Sequence, residues 1–528
     1  MTGSQRRWSR PGLRNGNGST SVRAYHRKMD KSAAVMESRR NALISQNGLV
    51  LVLLGVGLVL LAVPKSAIQS VPGEVMAWSA FLLLMGAGLL GWKLSRQQGE
   101  TPWLYPAGAL MIFFALRYGL GSLSVFYRDA IPWTVNADYV RRSCLEAKGN
   151  MAYGGYLCIL GGVGLMLGTL LRAEPMRRFL PALPWRIGKE GLLGRCLLIV
   201  MLAASCLVLA RHMRSVIPGG LQLAASLIGG FGFVLSMVSI ICYVNGAGAA
   251  RWKWLVITCL FLPLGAWCGL SAFPAMREGV VWPLAVVCIA YLLVRVKPVW
   301  FLGVGMAALV LVVFPLATLY KRQSETEPNK LRVVERIPGS FRDYLGLSTR
   351  ERLEMGAQTL IGRLFGGPKF ICVFSRYWPS RYPFEKGETF KIEARFLLPR
   401  LFFPERGNPD APINEYSRKA GILGAEDATT SAKMDSITEY YINWGPTGVF
   451  FLFVLHGYFW KVLYDWLVRR GEWLMGAPIV ACLLWSWHDF NGIGFVFTAT
   501  VKALVVWIPL TYLLAGAKRS RAGVSSTL

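Results

Sequence analysis

Two stretches of this chain, 41–64 and 215–250, contain no Asp, Glu, Lys or Arg. A bilayer hydrocarbon core roughly 30 Å thick is crossed by about 20 predominantly apolar helical residues. Runs of this kind therefore predict membrane-spanning helices, and the same reading extended along the chain predicts twelve. They fall near 43–64, 75–93, 103–126, 151–171, 192–210, 220–244, 254–274, 279–294, 299–319, 440–463, 474–490 and 494–515. The eighth is short, and only a tight turn at Asn491 and Gly492 separates the last two. Composition agrees: 54% of residues are hydrophobic and 16% charged, whereas soluble domains carry about 25% charged residues. The expected fold is all-α, a polytopic membrane helical bundle with one long extracytoplasmic loop containing short helices.

Orientation follows from Lys and Arg in the short loops, which mark the cytoplasmic side. The N-terminal tail carries Arg6, Arg7, Arg10, Arg14, Arg23, Arg27, Lys28 and Lys31, and the C-terminal tail Lys518, Arg519 and Arg521. Lys93 and Arg96, the run from Arg172 to Lys189, Arg251 and Lys253, Arg295 and Lys297, and Arg469 and Arg470 agree with both ends being cytoplasmic. The chain then reads as a basic disordered tail (1–42), spans one to nine (43–319), an extracytoplasmic loop domain (320–438), spans ten to twelve (439–515) and a cytoplasmic tail (516–528). The first span is too long and too far from the start for a signal peptide. The formal charge of +29, from 58 basic and 29 acidic residues, is read as topogenic and as a contact with anionic membrane lipids, not as a nucleic-acid footprint.

Eight of the ten cysteines fall in apolar runs and read as small hydrophobes. Cys144 and Cys372 fall in external loops, where a disulfide between them is one reading. No CxxC or Cys/His metal spacing, P-loop, GxGxxG or HExxH is present, so nucleotide- or metal-driven chemistry has no visible home.

The 320–438 stretch has a soluble composition, with basic residues outnumbering acidic ones modestly. It is far longer than the roughly 15 residues above which a structureless loop is usually functional or disordered. Its aromatic content, including Phe370, Phe374, Trp378, Phe384, Phe390 and Phe396, predicts that it folds back on the bundle, with short helices at 355–363 and 368–377. Arg363, Lys369, Arg376, Arg381, Lys386, Lys391, Arg395 and Arg400 recur between the aromatics. Arginine binds phosphate in a bidentate fashion, so one reading is a site for a phosphate-linked carbohydrate. The other is a solvated loop of ordinary charge.

Two segments carry a resemblance. The first is Gly387-Glu388-Thr389-Phe390, followed by Pro399-Arg400-Leu401-Phe402-Phe403-Pro404-Glu405-Arg406. The second is Glu439-Tyr440-Tyr441-Ile442-Asn443-Trp444-Gly445-Pro446-Thr447-Gly448 at the start of the tenth span. Together they resemble the Wzy-type O-antigen and exopolysaccharide polymerases, whose members often have G-x-T-Y/F, then PR-x-x-[WF]-P-x-K/R, then E-x-Y-x-N-[FW]-G-x-x-G opening a late span. A weaker echo is Met276-Arg277-Glu278-Gly279, which lacks the serine of the family's S-R-G loop. The resemblance covers roughly 254–515.

It implies polymerisation of undecaprenyl-pyrophosphate-linked oligosaccharides at the outer face of the bacterial inner membrane, with no metal, nucleotide or other cofactor. The partners it implies are the lipid-linked substrates, a chain-length regulator and a flippase. Such chemistry needs cations where charge develops on the leaving pyrophosphate and a carboxylate or His as general base.

The candidate catalytic residues are Glu439 and His488. Glu439 also has the plain reading of an acidic residue favoured by a helix N-terminal dipole; His488 stands beside Asp489 at the outer end of span eleven. The candidate substrate-binding residues are Arg277, Arg400, Arg211, Arg214, Arg117 and Arg395. Arg277 otherwise reads as a snorkelling helix-end arginine. Arg211, His212 and Arg214 form a basic cluster in an external loop, where positive charge is normally scarce. Arg117 lies within the third span, where charge usually faces the protein interior, either in a structural pair or in a site. His456 reads as structural and Lys502 as snorkelling. The rival classes are a lipid-linked oligosaccharide flippase or other transporter, a ligase-type glycan transferase, and a structural assembly protein.

Overall fold

A computed structural model describes residues 46–127, 145–181, 183, 191–212, 219–245, 251–272, 278–294, 305, 307–326, 333–395, 410–424, 434–485 and 492–515. The chain divides into two units, 1–52 and 53–528. Of the first, the described part is the helical stretch from Gln46. The tails expected to be disordered or cytoplasmic lie almost wholly outside the described residues.

Among the described residues every regular element is helical. Seven helices are long and apolar enough to cross a membrane: Gly73–Gln97, Pro106–Tyr127, Met151–Leu170, Leu192–Ala210, Leu221–Asn245, Ser436–Arg469 and Val496–Ala515. Gln46–Ala62, Trp252–Cys268, Ala285–Val294, Val310–Tyr320 and Trp473–Leu484 are apolar but shorter. The peripheral helices turn apolar side chains outward: Leu82, Leu83 and Leu89 on one, Leu198 and Met201 on another. Such rows of exposed aliphatics suit lipid and not water.

Met151–Leu170 is the central helix, with 94% of its apolar window buried. It packs along Ser436–Tyr464, and glycine makes that contact close. A Cβ at Gly164 would come 2.5 Å from the Phe450 carbonyl oxygen, and one at Gly168 would come 2.1 Å from that of Val454. Small residues at such seams let backbones approach, and dispersion then holds helices together where lipid removes the hydrophobic drive.

The 320–438 region corrects one expectation. The two short helices expected at 355–363 and 368–377 are parts of a single helix, Thr349–Tyr377, which runs through Pro368. It opens with a capping box: the Ser348 hydroxyl accepts from the Glu351 N–H at 3.2 Å, and the Ser348 N–H donates to Glu351 Oε2 at 2.7 Å. Its last turns are sunk among the spans, with Ile371, Cys372 and Phe374 fully buried. Lys65 Nζ donates to the Ser375 carbonyl at 3.2 Å and Asn150 Nδ2 to that of Cys372 at 2.8 Å. The first satisfies a carbonyl that the helix end leaves open, since Pro379 has no N–H to offer it. Cys372 is a free, buried thiol with its sulfur 3.8 Å from Met151 Sδ, which removes the disulfide reading; Cys144 lies outside the described residues.

A second polar cluster lies towards the other end of the Ser436–Tyr464 helix. Lys461 Nζ reaches Tyr105 Oη at 2.9 Å and Asp465 Oδ1 at 3.2 Å. Arg469 bridges Asp465 at 3.1 Å and Glu100 at 2.8 Å. Two cations and two carboxylates neutralise one another there, as buried charges must.

Candidate functional site

The Ser436–Tyr464 helix is broken near its start. Trp444 (φ −141°, ψ 20°) and Gly445 (φ 64°, ψ −152°) leave helical geometry, and Pro446 follows. Proline has no N–H to offer the carbonyl four residues back, so the Ile442 carbonyl is released from the helical ladder. It accepts instead from the Glu385 N–H at 2.9 Å, and the Asn443 carbonyl accepts from the Lys386 N–H at 3.1 Å. The break therefore docks a separate segment of chain, 385–387, onto the helix. That segment turns sharply, with positive φ at Lys386 (49°) and Gly387 (95°), and runs into the Glu388–Arg395 helix.

Side chains lock this junction. Glu439 and Asn443 are four residues apart and share a helix face. Asn443 Oδ1 accepts from the Gly387 N–H at 2.7 Å. Asn443 Nδ2 donates to Thr389 Oγ1 and to the Glu439 carbonyl, each at 2.8 Å. Thr389 Oγ1 donates onward to Glu439 Oε1 at 2.8 Å. The chain of bonds orients one carboxylate oxygen of a residue only 3% exposed. The other oxygen lies against Gly492, where a Cβ would come 1.3 Å from Oε2 and displace the carboxylate. We call this arrangement the clamp.

Aromatic rings surround it. Trp444 stacks on Phe390 with centroids 5.4 Å apart and planes at 16°. Phe384 packs edge-on to Tyr441, whose hydroxyl donates to the Trp378 carbonyl at 2.8 Å. Deeper in the bundle, Tyr440 Oη and His456 Nδ1 are hydrogen-bonded at 2.8 Å, in keeping with a structural His456.

The helix carrying the clamp is capped by Asp435, which accepts from the Thr438 N–H at 3.1 Å and from the Tyr118 hydroxyl at 3.0 Å. Burial pushes its carboxyl up to about 6, while the charge of Arg117 and the bonds from Thr438 and Tyr118 pull the other way. Arg117 itself sits on a π-helical turn, Ala115–Leu120, against Gly367 of the long loop helix. Such turns inside helices occur frequently at functional sites.

Of the residues expected in a site, Glu439 is in the clamp, and Arg117 lies beside the cap of the helix that carries it. Arg395 is exposed at the far end of the helix that begins at Glu388. Arg211 and His212 end the Leu192–His212 helix, with side chains outside the described residues, as are Arg214, Arg277, Arg400, His488 and Asp489. Lys502 is half-buried in the last helix. Among the described residues no group of three or more His, Cys, Asp or Glu is placed to hold a metal ion. Sequence reasoning missed Asp435 and Tyr118. An Asp immediately before an apolar periodic run is a helix-start signal, and it would have singled out Asp435.

Fold and site together define a polytopic α-helical membrane protein with a buried polar clamp where a kinked span meets a long inserted segment. A family model described as a domain of unknown function, DUF8712, matches residues 123–497, and the chain belongs to that family. No curated protein and no solved structure matches it.

Proposed function

We propose that this protein polymerises undecaprenyl-pyrophosphate-linked oligosaccharide repeat units into a surface polysaccharide at the outer face of the bacterial inner membrane. In this reading the shorter apolar helices complete about twelve spans, both termini are cytoplasmic and 320–438 is extracytoplasmic. One observation carries the proposal. The two segments that resemble polysaccharide polymerases, about 50 residues apart in sequence, are hydrogen-bonded to each other through Thr389, Glu439, Asn443 and Gly387. A set of residues selected only by that resemblance thus builds one buried carboxylate site.

The reaction assigns each group a task. A hydroxyl of the incoming lipid-linked unit attacks the anomeric carbon of the growing chain. The bond from that carbon to the pyrophosphate oxygen breaks, and undecaprenyl pyrophosphate leaves. Glu439 takes the hydroxyl proton, with His488 as the other candidate base. Arg277, Arg400, Arg211, Arg214, Arg117 and Arg395 are the candidates to meet the leaving negative charge, because developing charge is best stabilised by fixed cations. A flippase and a chain-length regulator would act beside it in the same membrane.

The test is reconstitution in proteoliposomes with lipid-linked repeat units extracted from the host. Polymerisation predicts chains of several units on one lipid and release of free undecaprenyl pyrophosphate. Transfer to a different acceptor would make the protein a ligase, and movement across the bilayer without bond formation would make it a transporter.

A further inference from the structure

Trp444 is 41% exposed, although it adjoins the buried clamp on both sides in sequence and in space. Its position is set by the helix break. The residue itself leaves helical geometry, and the next residue takes a backbone conformation that only glycine adopts readily. The Lys386–Gly387 turn, also at positive φ, brings Gly387 so close that a Cβ there would lie 3.1 Å from the indole Cζ2. Phe390 stacks nearly parallel on the ring, fixing its plane.

An exposed tryptophan in a membrane protein is often an interfacial anchor. Here, however, the residues flanking the turn against the ring, Lys386 and Glu388, are both charged and exposed. Charged side chains avoid hydrocarbon, so this indole faces a polar boundary. It also stands one residue from Asn443, which positions Thr389 and through it Glu439. A flat apolar face bordered by hydrogen-bonding and charged groups matches the two-sided chemistry of a pyranose, apolar C–H on one face and hydroxyls at the rim.

We infer that the Trp444 indole, held by Phe390 beside the Glu439–Thr389–Asn443 clamp, is the platform on which a pyranose ring of the incoming lipid-linked glycan stacks. This rests on the reading of the clamp as a glycan-transfer site. Trp444 is thereby a specificity residue that holds the acceptor sugar beside the clamp.

The experiment measures transfer kinetics in proteoliposomes, with host-extracted lipid-linked repeat units as the probe, for wild type, Trp444→Leu, Trp444→Tyr and Glu439→Gln. Loss of an aromatic face should raise KM by about five- to tenfold in Trp444→Leu, with a smaller change in kcat. Trp444→Tyr, which keeps a stacking face, should recover most of that loss. An unchanged KM in Trp444→Leu overturns the platform, and so does an equal loss in the Leu and Tyr variants, because tyrosine keeps a stacking face. The reading of the clamp has its own readout. Undiminished transfer by Glu439→Gln would defeat it, whereas abolished transfer in that variant with normal KM in Trp444→Leu defeats the platform alone.

Discussion

At the residue scale, the account turns on how single side chains are held at the start of the kinked helix. Asn443 was legible as part of a motif, and so were Glu439 and Thr389. That they bond to one another was not, because hydropathy and spacing carry no information on which loop residue meets which helix residue. Asp435 offers a test that needs no substrate. Its carboxyl is raised from an ordinary 3.8 to about 6, chiefly by burial. The folded protein therefore binds this proton more tightly than the unfolded chain does. Stability from this group is fullest at low pH and falls as pH rises between about 4 and 6. Asp435→Asn keeps a side-chain oxygen for the helix cap but cannot ionise. It should flatten the pH dependence of the melting temperature across that window. It should also stabilise the protein near pH 7, by on the order of 2 kcal/mol. A variant that is destabilised at pH 7 would mean that attraction to Arg117 outweighs burial.

At the scale of elements, the helices were the legible part. Each of the twelve apolar stretches expected from the sequence overlaps a described apolar helix, and seven of these helices are long enough to cross a membrane. The segment after Thr326 was less legible. Pro368 invited a break between 363 and 368, yet Thr349–Tyr377 is continuous. An interior proline costs about 3 kcal/mol or more, and packing on both sides of it offsets that here: before it Gly367 lies against Arg117 and Tyr118, and after it Ile371, Cys372 and Phe374 are fully buried. Sequence periodicity does not register such tertiary contacts. The seam between the central and kinked helices makes a prediction of the same kind. Gly168→Val places side-chain atoms where even a Cβ would lie 2.1 Å from the Val454 carbonyl oxygen. Overpacking of this kind costs about 1–3 kcal/mol, and the clash with backbone puts it at the upper end. Gly194→Val, at a position with open space, is the control. Thermal unfolding followed by size-exclusion chromatography should show a lower midpoint for the first and little change for the second. Equal behaviour of the two would deny that the seam governs stability.

At the scale of the whole molecule, two polar clusters lie on one continuous run of chain, Glu439 in one and Lys461 in the other. The helical run from Pro446 to Lys461 alone rises about 22 Å, and the clamp lies beyond the break at its start. The proposed topology puts the clamp towards one membrane boundary and the Lys461–Asp465–Arg469–Glu100 network towards the other. In the proposed topology, which follows the bias of basic loops, the clamp is extracytoplasmic. Single cysteines at Lys386 and Arg470, in a background without other reactive thiols, test the assignment: a membrane-impermeant maleimide applied to intact cells should label position 386 and not 470. The reverse pattern would invert the topology and separate the clamp from extracytoplasmic substrates. The most direct test of the central claim is the length of the surface polysaccharide made by a host whose own copy is disrupted and then complemented. With Glu439→Gln at wild-type protein levels, the account predicts single repeat units where the wild-type gene restores a ladder of long chains. A full ladder from the Glu439→Gln protein would contradict it.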